Sequence, residues 1–121
     1  MNTDILFNEL KLRIPGFEAY ALENILNAEE GSISILSDFG IYLRNSISKN
    51  NKEVELASFQ LINCWLNLDN SKIDNWIKVS VFEILTDTKE SQDSCLTNLN
   101  PKGKLLFSEL FKTHNKLSSL F

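Results

Sequence analysis

The chain has 121 residues, a net charge of −4, 43% apolar and 23% charged residues, and two cysteines. That balance excludes a disordered chain, and two cysteines exclude a disulfide scaffold. The length fits one domain over residues 1–121, large enough to bury a core without help from metal or disulfide.

The opening segment, Met1 to Glu9, carries acids where a secretory signal carries positive charge. No apolar run approaches the roughly 18 residues that a membrane helix needs. A cytoplasmic protein away from the membrane is therefore expected. Lysine outnumbers arginine ten to two, and asparagine and isoleucine are plentiful, a bias that suggests an AT-rich bacterial genome.

The first helix is expected to start at Thr3 as its cap and to run through Leu6, Leu10 and Arg13 until Pro15-Gly16 stops it. Phe17, Tyr20, Ala21, Asn24, Ile25 and Ala28 mark the stripe of a second helix that ends at Gly31. Ser32 is then expected to cap a third, through Ile33, Leu36, Gly40, Leu43 and Ile47, which ends in the polar run Ser48-Lys49-Asn50-Asn51.

From Lys52 to Asp87 two amphipathic patterns, each centred on a tryptophan, flank the short polar turn Asp69-Asn70-Ser71. The first carries Val54, Ala57, Leu61, Cys64, Trp65 and Leu68; the second carries Ile73, Trp76, Ile77, Ser80, Val81, Ile84 and Leu85. So short a connection predicts an antiparallel helical hairpin. Trp65 and Trp76 are expected in the core, Trp76 on the stripe of Ile73, Ile77 and Ser80. Cys64 is expected as a small core residue, and Cys95, in a polar stretch, as the more reactive thiol.

Thr88 to Leu99 has only Cys95, Leu96 and Leu99 as apolar residues and reads as a loop or a short, poorly buried helix. Asn100-Pro101 opens a last helix carrying Leu105, Leu106, Leu110, Phe111, Leu117, Leu120 and Phe121. No segment alternates as a strand does. The fold class predicted is all-α, with six or seven amphipathic helices in consecutive antiparallel hairpins. They form an irregular bundle or a short solenoid of two-helix units.

The residues of known chemistries do not assemble into a motif. His114 is the sole histidine and has no acid or thiol at ligand spacing. A serine elbow is absent, and neither cysteine has a local catalytic signature. Lys102 and Lys104 stand in the first turn of a helix where a phosphate could bind, but without the spacing of a phosphate loop. Glu90, Asp93 and Asp87 do not follow a calcium loop. No catalytic residue, cofactor or metal site is predicted, and nucleic acid is not an expected partner.

Charge is distributed unevenly. Between Ile14 and Leu43 stand Glu18, Glu23, Glu29, Glu30 and Asp38, with no lysine or arginine among them, whereas Lys102, Lys104, Lys112 and Lys116 face only Glu109 near the end. The five acids are the candidate partner-binding residues, because an acidic face favours a basic partner through steering and complementarity.

Three segments also carry a resemblance: Phe39-Gly40-Ile41-Tyr42-Leu43, the stretch from Ile77 to Leu85, and Gly103-Lys104-Leu105-Leu106-Phe107. Together they resemble a family of small bacterial helical domains of unknown function, similar to the immunity-type proteins of polymorphic toxin systems. The resemblance spans about Glu9 to Lys112 and implies a cytoplasmic protein that neutralises a toxin by binding it, with no catalytic motif to transfer. The resulting expectation is a protein-binding module with a basic toxin as its partner. The alternatives are an enzyme with a site built from scattered acids, tyrosines and lysines, or a subunit that homo-oligomerises through exposed aromatics.

Overall fold

A computed structural model describes residues 2–24 and 31–118, and their side chains as far as Lys112 apart from Phe111. The described residues form seven helices and no strand.

Helix α1 (Thr3–Arg13) is capped by Asn2, whose side-chain oxygen accepts from the Ile5 amide at 2.9 Å. Thr3, expected as the cap, is instead the first helical residue, and its hydroxyl lies 2.6 Å from that of Ser32. Asn2 wins because its amide oxygen reaches the third amide of the helix while Thr3 already has helical geometry. Asp4 in the first turn and Lys11 and Arg13 in the last complement the helix dipole. Pro15 forces Ile14 out of helical geometry, and Gly16, at φ 77°, turns the chain into α2 (Phe17–Asn24).

Helix α3 (Ser32–Ser48) is the axis of the molecule; Ser32, expected as its cap, is its first residue, with Gly31 at the cap position and the Ser32 hydroxyl bonded to Thr3 instead. The helix packs against α1, α2, α4, α5 and α6, and it buries Ile35, Leu36, Phe39, Gly40, Leu43 and Ile47. Its end is a Schellman turn. The Asn51 amide reaches the Ser46 carbonyl at 2.8 Å and the Asn50 amide that of Ile47 at 3.0 Å, with Asn50 left-handed at φ 59°. Asn51 then caps α4 (Lys52–Leu66) by accepting from the Val54 amide, so the polar run ends one helix and begins the next within four residues.

Asp69, left-handed at φ 52°, and Asn70, which accepts from the amides of Lys72 and Ile73, close the predicted hairpin turn. Helix α5 is α-helical over Ser71–Ile77, passes through a π-helical stretch, Lys78–Phe82, and finishes with an α-turn, Glu83–Leu85. The Ser80 hydroxyl donates to the Trp76 carbonyl at the start of the widened stretch. Gly40 of α3 sits directly opposite: a Cβ there would lie 3.2 Å from Val81 Cα. The lack of a side chain lets the two backbones approach.

The ambiguous stretch after Thr88 is a helix, α6 (Lys89–Asn98), capped by Thr88, which accepts from the Ser91 amide. Its inner face is made of Ser91, Ser94 and Cys95, small residues that the apolar pattern does not reveal. Asn100 caps α7 (Pro101–Ser118) as expected, accepting from the Gly103 amide at 2.8 Å. Contacts of α1 with α4, α3 with α6, and α4 with α7 fit an irregular bundle and not a solenoid, in which each unit touches only its neighbours.

One continuous core includes Phe17, Phe39, Phe59, Trp65, Phe82 and Phe107. Trp65 is 3% exposed, whereas Trp76 is only partly buried, with the Lys72 ammonium 5.1 Å from its ring centre. Trp76, expected in the core, packs against it from the rim and is enclosed only in part. Ile73 and Ile77, at the centre of the stripe, take the buried positions, and Trp76 falls at its edge. The cysteines are reversed: Cys64 is exposed and Cys95 fully buried.

Candidate functional interface

Two inner residues fix helix α2 in place. Phe17 meets Phe39 edge-on at 5.9 Å and Tyr42 at 5.7 Å, and Tyr20 lies 4.9 Å from Tyr42 between ring centres. Tyr42 is in turn held by its hydroxyl, which donates to the Pro15 carbonyl at 2.6 Å. Gly16 makes room for this bond, since a Cβ at that position would stand 2.5 Å from the hydroxyl oxygen. The aromatic cluster leaves α2 a rigid base, and with Phe17 and Ala21 inward the outward arc falls to Glu18, Ala19, Leu22 and Glu23, all exposed.

Of the five predicted acids, Glu18 and Glu23 therefore lie on the outer surface of α2. Asp38 is on α3, partly buried. Burial first, and then the nearby Asp38 carboxylate, raise the Tyr20 phenol above its ordinary value, while the Arg44 guanidinium pulls the other way. Asp38 thus borders α2 on its Tyr20 side. Glu29 and Glu30 lie outside the described residues. Arg44, one position beyond the acidic stretch in sequence, returns to this neighbourhood in space, but its guanidinium is engaged by Asp87 at 2.8 Å.

Leu22 is the residue that sequence reasoning missed. It is 84% exposed, between Glu18 on one side and Ala19 and Glu23 on the other. Its signal was its position off the stripe of Phe17, Tyr20, Ala21 and Asn24.

The basic last helix is less available than its composition suggests. The Lys102 ammonium is hydrogen-bonded to the Leu66 carbonyl at 2.9 Å, Asp69 at 3.0 Å and Asp74 at 2.8 Å. These bonds, that to Asp74 foremost, hold it above its ordinary pKa. Lys102 is thus the tie that closes the end of α4 onto the start of α5, and its bonds all go to acceptors of the protein. The side chain of His114 lies outside the described ones.

A concave region lies between the end of α3, the start of α4 and α6. It is a polar cleft of about 290 Å³, with Glu55, Glu90 and Asp93 in its lining. Glu55 is 7% exposed and paired with Lys52 at 3.1 Å. Among the described residues, no group of three or more histidines, cysteines and acids is placed to hold a metal ion, and no helix is long and apolar enough to cross a membrane.

No family model, curated protein or solved structure matches the chain.

Proposed function

We propose that the chain is a protein-binding module that presents the outer face of α2 to a basic partner, in the manner of a bacterial immunity protein that neutralises a toxin by occupying it in the cytoplasm. The observation that carries this reading is the exposed acid–leucine–acid arrangement of Glu18, Leu22 and Glu23 on a helix whose inner side is locked by four aromatic rings. A pre-organised face loses little entropy on binding. Its charge repels phosphate backbones and anionic membranes and attracts cationic protein surfaces.

Association with the partner purified from the source cell is expected to be steered by this field and to slow as salt rises from about 0.05 to 0.5 M, where screening shortens from over 10 Å to a few Å. The double reversal Glu18→Lys/Glu23→Lys should slow association further at low salt and leave the circular dichroism spectrum unchanged. An association rate indifferent to both changes would refute the acidic-face reading.

The buried Glu55 carboxylate in its cleft favours a second reading, a small-molecule or catalytic site using Glu55, Glu90 and Asp93. Under that reading Glu55→Gln would abolish ligand binding, and the α2 reversal would be silent.

A further inference from the structure

Exposed leucines that stand singly are ordinary on protein surfaces. Leu22 differs in its setting. At helical periodicity the order around the outward arc of α2 is Glu18, Leu22, Ala19, Glu23, so two exposed apolar side chains form a strip bounded by a carboxylate on each edge. The opposite side of α2 is fixed by the buried Phe17 and Ala21, and no lysine or arginine lies on α2.

The complement of such a strip is an apolar ridge with cations along both sides. We infer that α2 docks a basic amphipathic helix of its partner, with an aliphatic residue seated over Ala19 and Leu22 and lysines or arginines flanking it against Glu18 and Glu23. This rests on the acidic-face reading and goes beyond it by adding an apolar anchor and a helical conformation. Complementary charge sets the approach, and burial of the leucine sets the residence time. The contact is small beside the area of a stable complex, so on its own it gives weak, reversible binding.

The test uses two synthetic peptides of identical lysine and leucine content, one with its leucines on a single helical face and one with the order scrambled. Each is titrated into the whole protein by fluorescence anisotropy at low and high salt. The amphipathic peptide is expected to bind at least about tenfold more tightly than the scrambled one, the worth of one largely buried leucine. Leu22→Ser, a change at an exposed position, should remove most of that preference. Glu18→Gln/Glu23→Gln should weaken both peptides and flatten the salt dependence.

Equal, salt-sensitive binding of both peptides would overturn the anchored helix and leave the acidic face standing. Failure of both peptides to bind at low salt would overturn both. A second copy of the chain could offer Lys104, Leu105 and Lys112 of α7, all exposed, to the same strip. Self-association in sedimentation that Lys104→Glu/Lys112→Glu abolishes would assign the strip to that copy and overturn the proposal.

Discussion

The two tryptophans and the two cysteines show how position at the edge of a helical stripe decides the fate of a side chain. Trp65 and Trp76 lie on equally apolar patterns, yet only Trp65 is enclosed, while Trp76 keeps a face beneath the Lys72 ammonium. Trp65→Ala is expected to destabilise by about 3 to 5 kcal/mol, the cost of emptying a large buried site. For Trp76→Ala the loss should be nearer about 1 to 2 kcal/mol, since less area returns to water. Denaturant unfolding of both variants measures the difference, and equal losses would contradict the assigned burial. The thiols are predicted to separate as cleanly. Cys64, exposed on α4, should take up a thiol reagent in the native state. Cys95, whose pKa burial pushes far above its ordinary value, should react only after denaturation. The same burial has a pH signature. The folded state holds the Cys95 proton where the unfolded chain releases it, so stability is whole below about pH 8.5 and falls above it, by up to about 1.4 kcal/mol per unit. A Cys95→Ala variant, compared with the parent, should lose that contribution to the alkaline slope.

At the scale of elements, legibility followed the strength of the local signal. Helices α3, α4 and α5 were readable from their long apolar stripes, which for α4 and α5 agree with the Asn51 and Asn70 caps, and the start of α7 was readable from Asn100. The helical state of α6 was obscured because its buried face is serine and cysteine, packed by closeness to α3 and α7 and not by bulk. A cap of the Thr88 type, with Ser91 three residues on, was the remaining clue. The π-helical stretch of α5 has no periodic signature in sequence at all. Its cause is tertiary: Gly40 admits the Val81 backbone, and the wider turn meets α3 and α7 together. Gly40→Ala places a methyl group 3.2 Å from Val81 Cα and from Ile84 Cδ1. Because one of these is backbone, which cannot rotate away, the substitution should lower stability by about 1 to 3 kcal/mol. A thermal melt unchanged from the parent would show the interface to be slacker than described.

Across the whole molecule, sequence told of an acidic region but not of its shape. Charge counting grouped Glu18, Glu23 and Asp38, and the fold divides them: the first two on the outer arc of α2, the third on α3 beside Tyr20. Leu22 was invisible to the same counting because a leucine off the stripe has no chemistry until its exposure is known. The fold makes these residues a surface by setting α2 on the central helix through Phe17, Tyr20, Phe39 and Tyr42, and it spends Lys102 and Arg44 on ion pairs of its own. That α2 is the interface is tested most directly by amide hydrogen exchange of the chain, alone and bound to the partner purified from its source. New protection is expected over residues 17–24, with the backbone of α7 and of the cleft-lining α6 unchanged. Protection confined to α6 around Glu90 and Asp93, or to the first turns of α7, with α2 exchanging as in the free chain, would contradict the account.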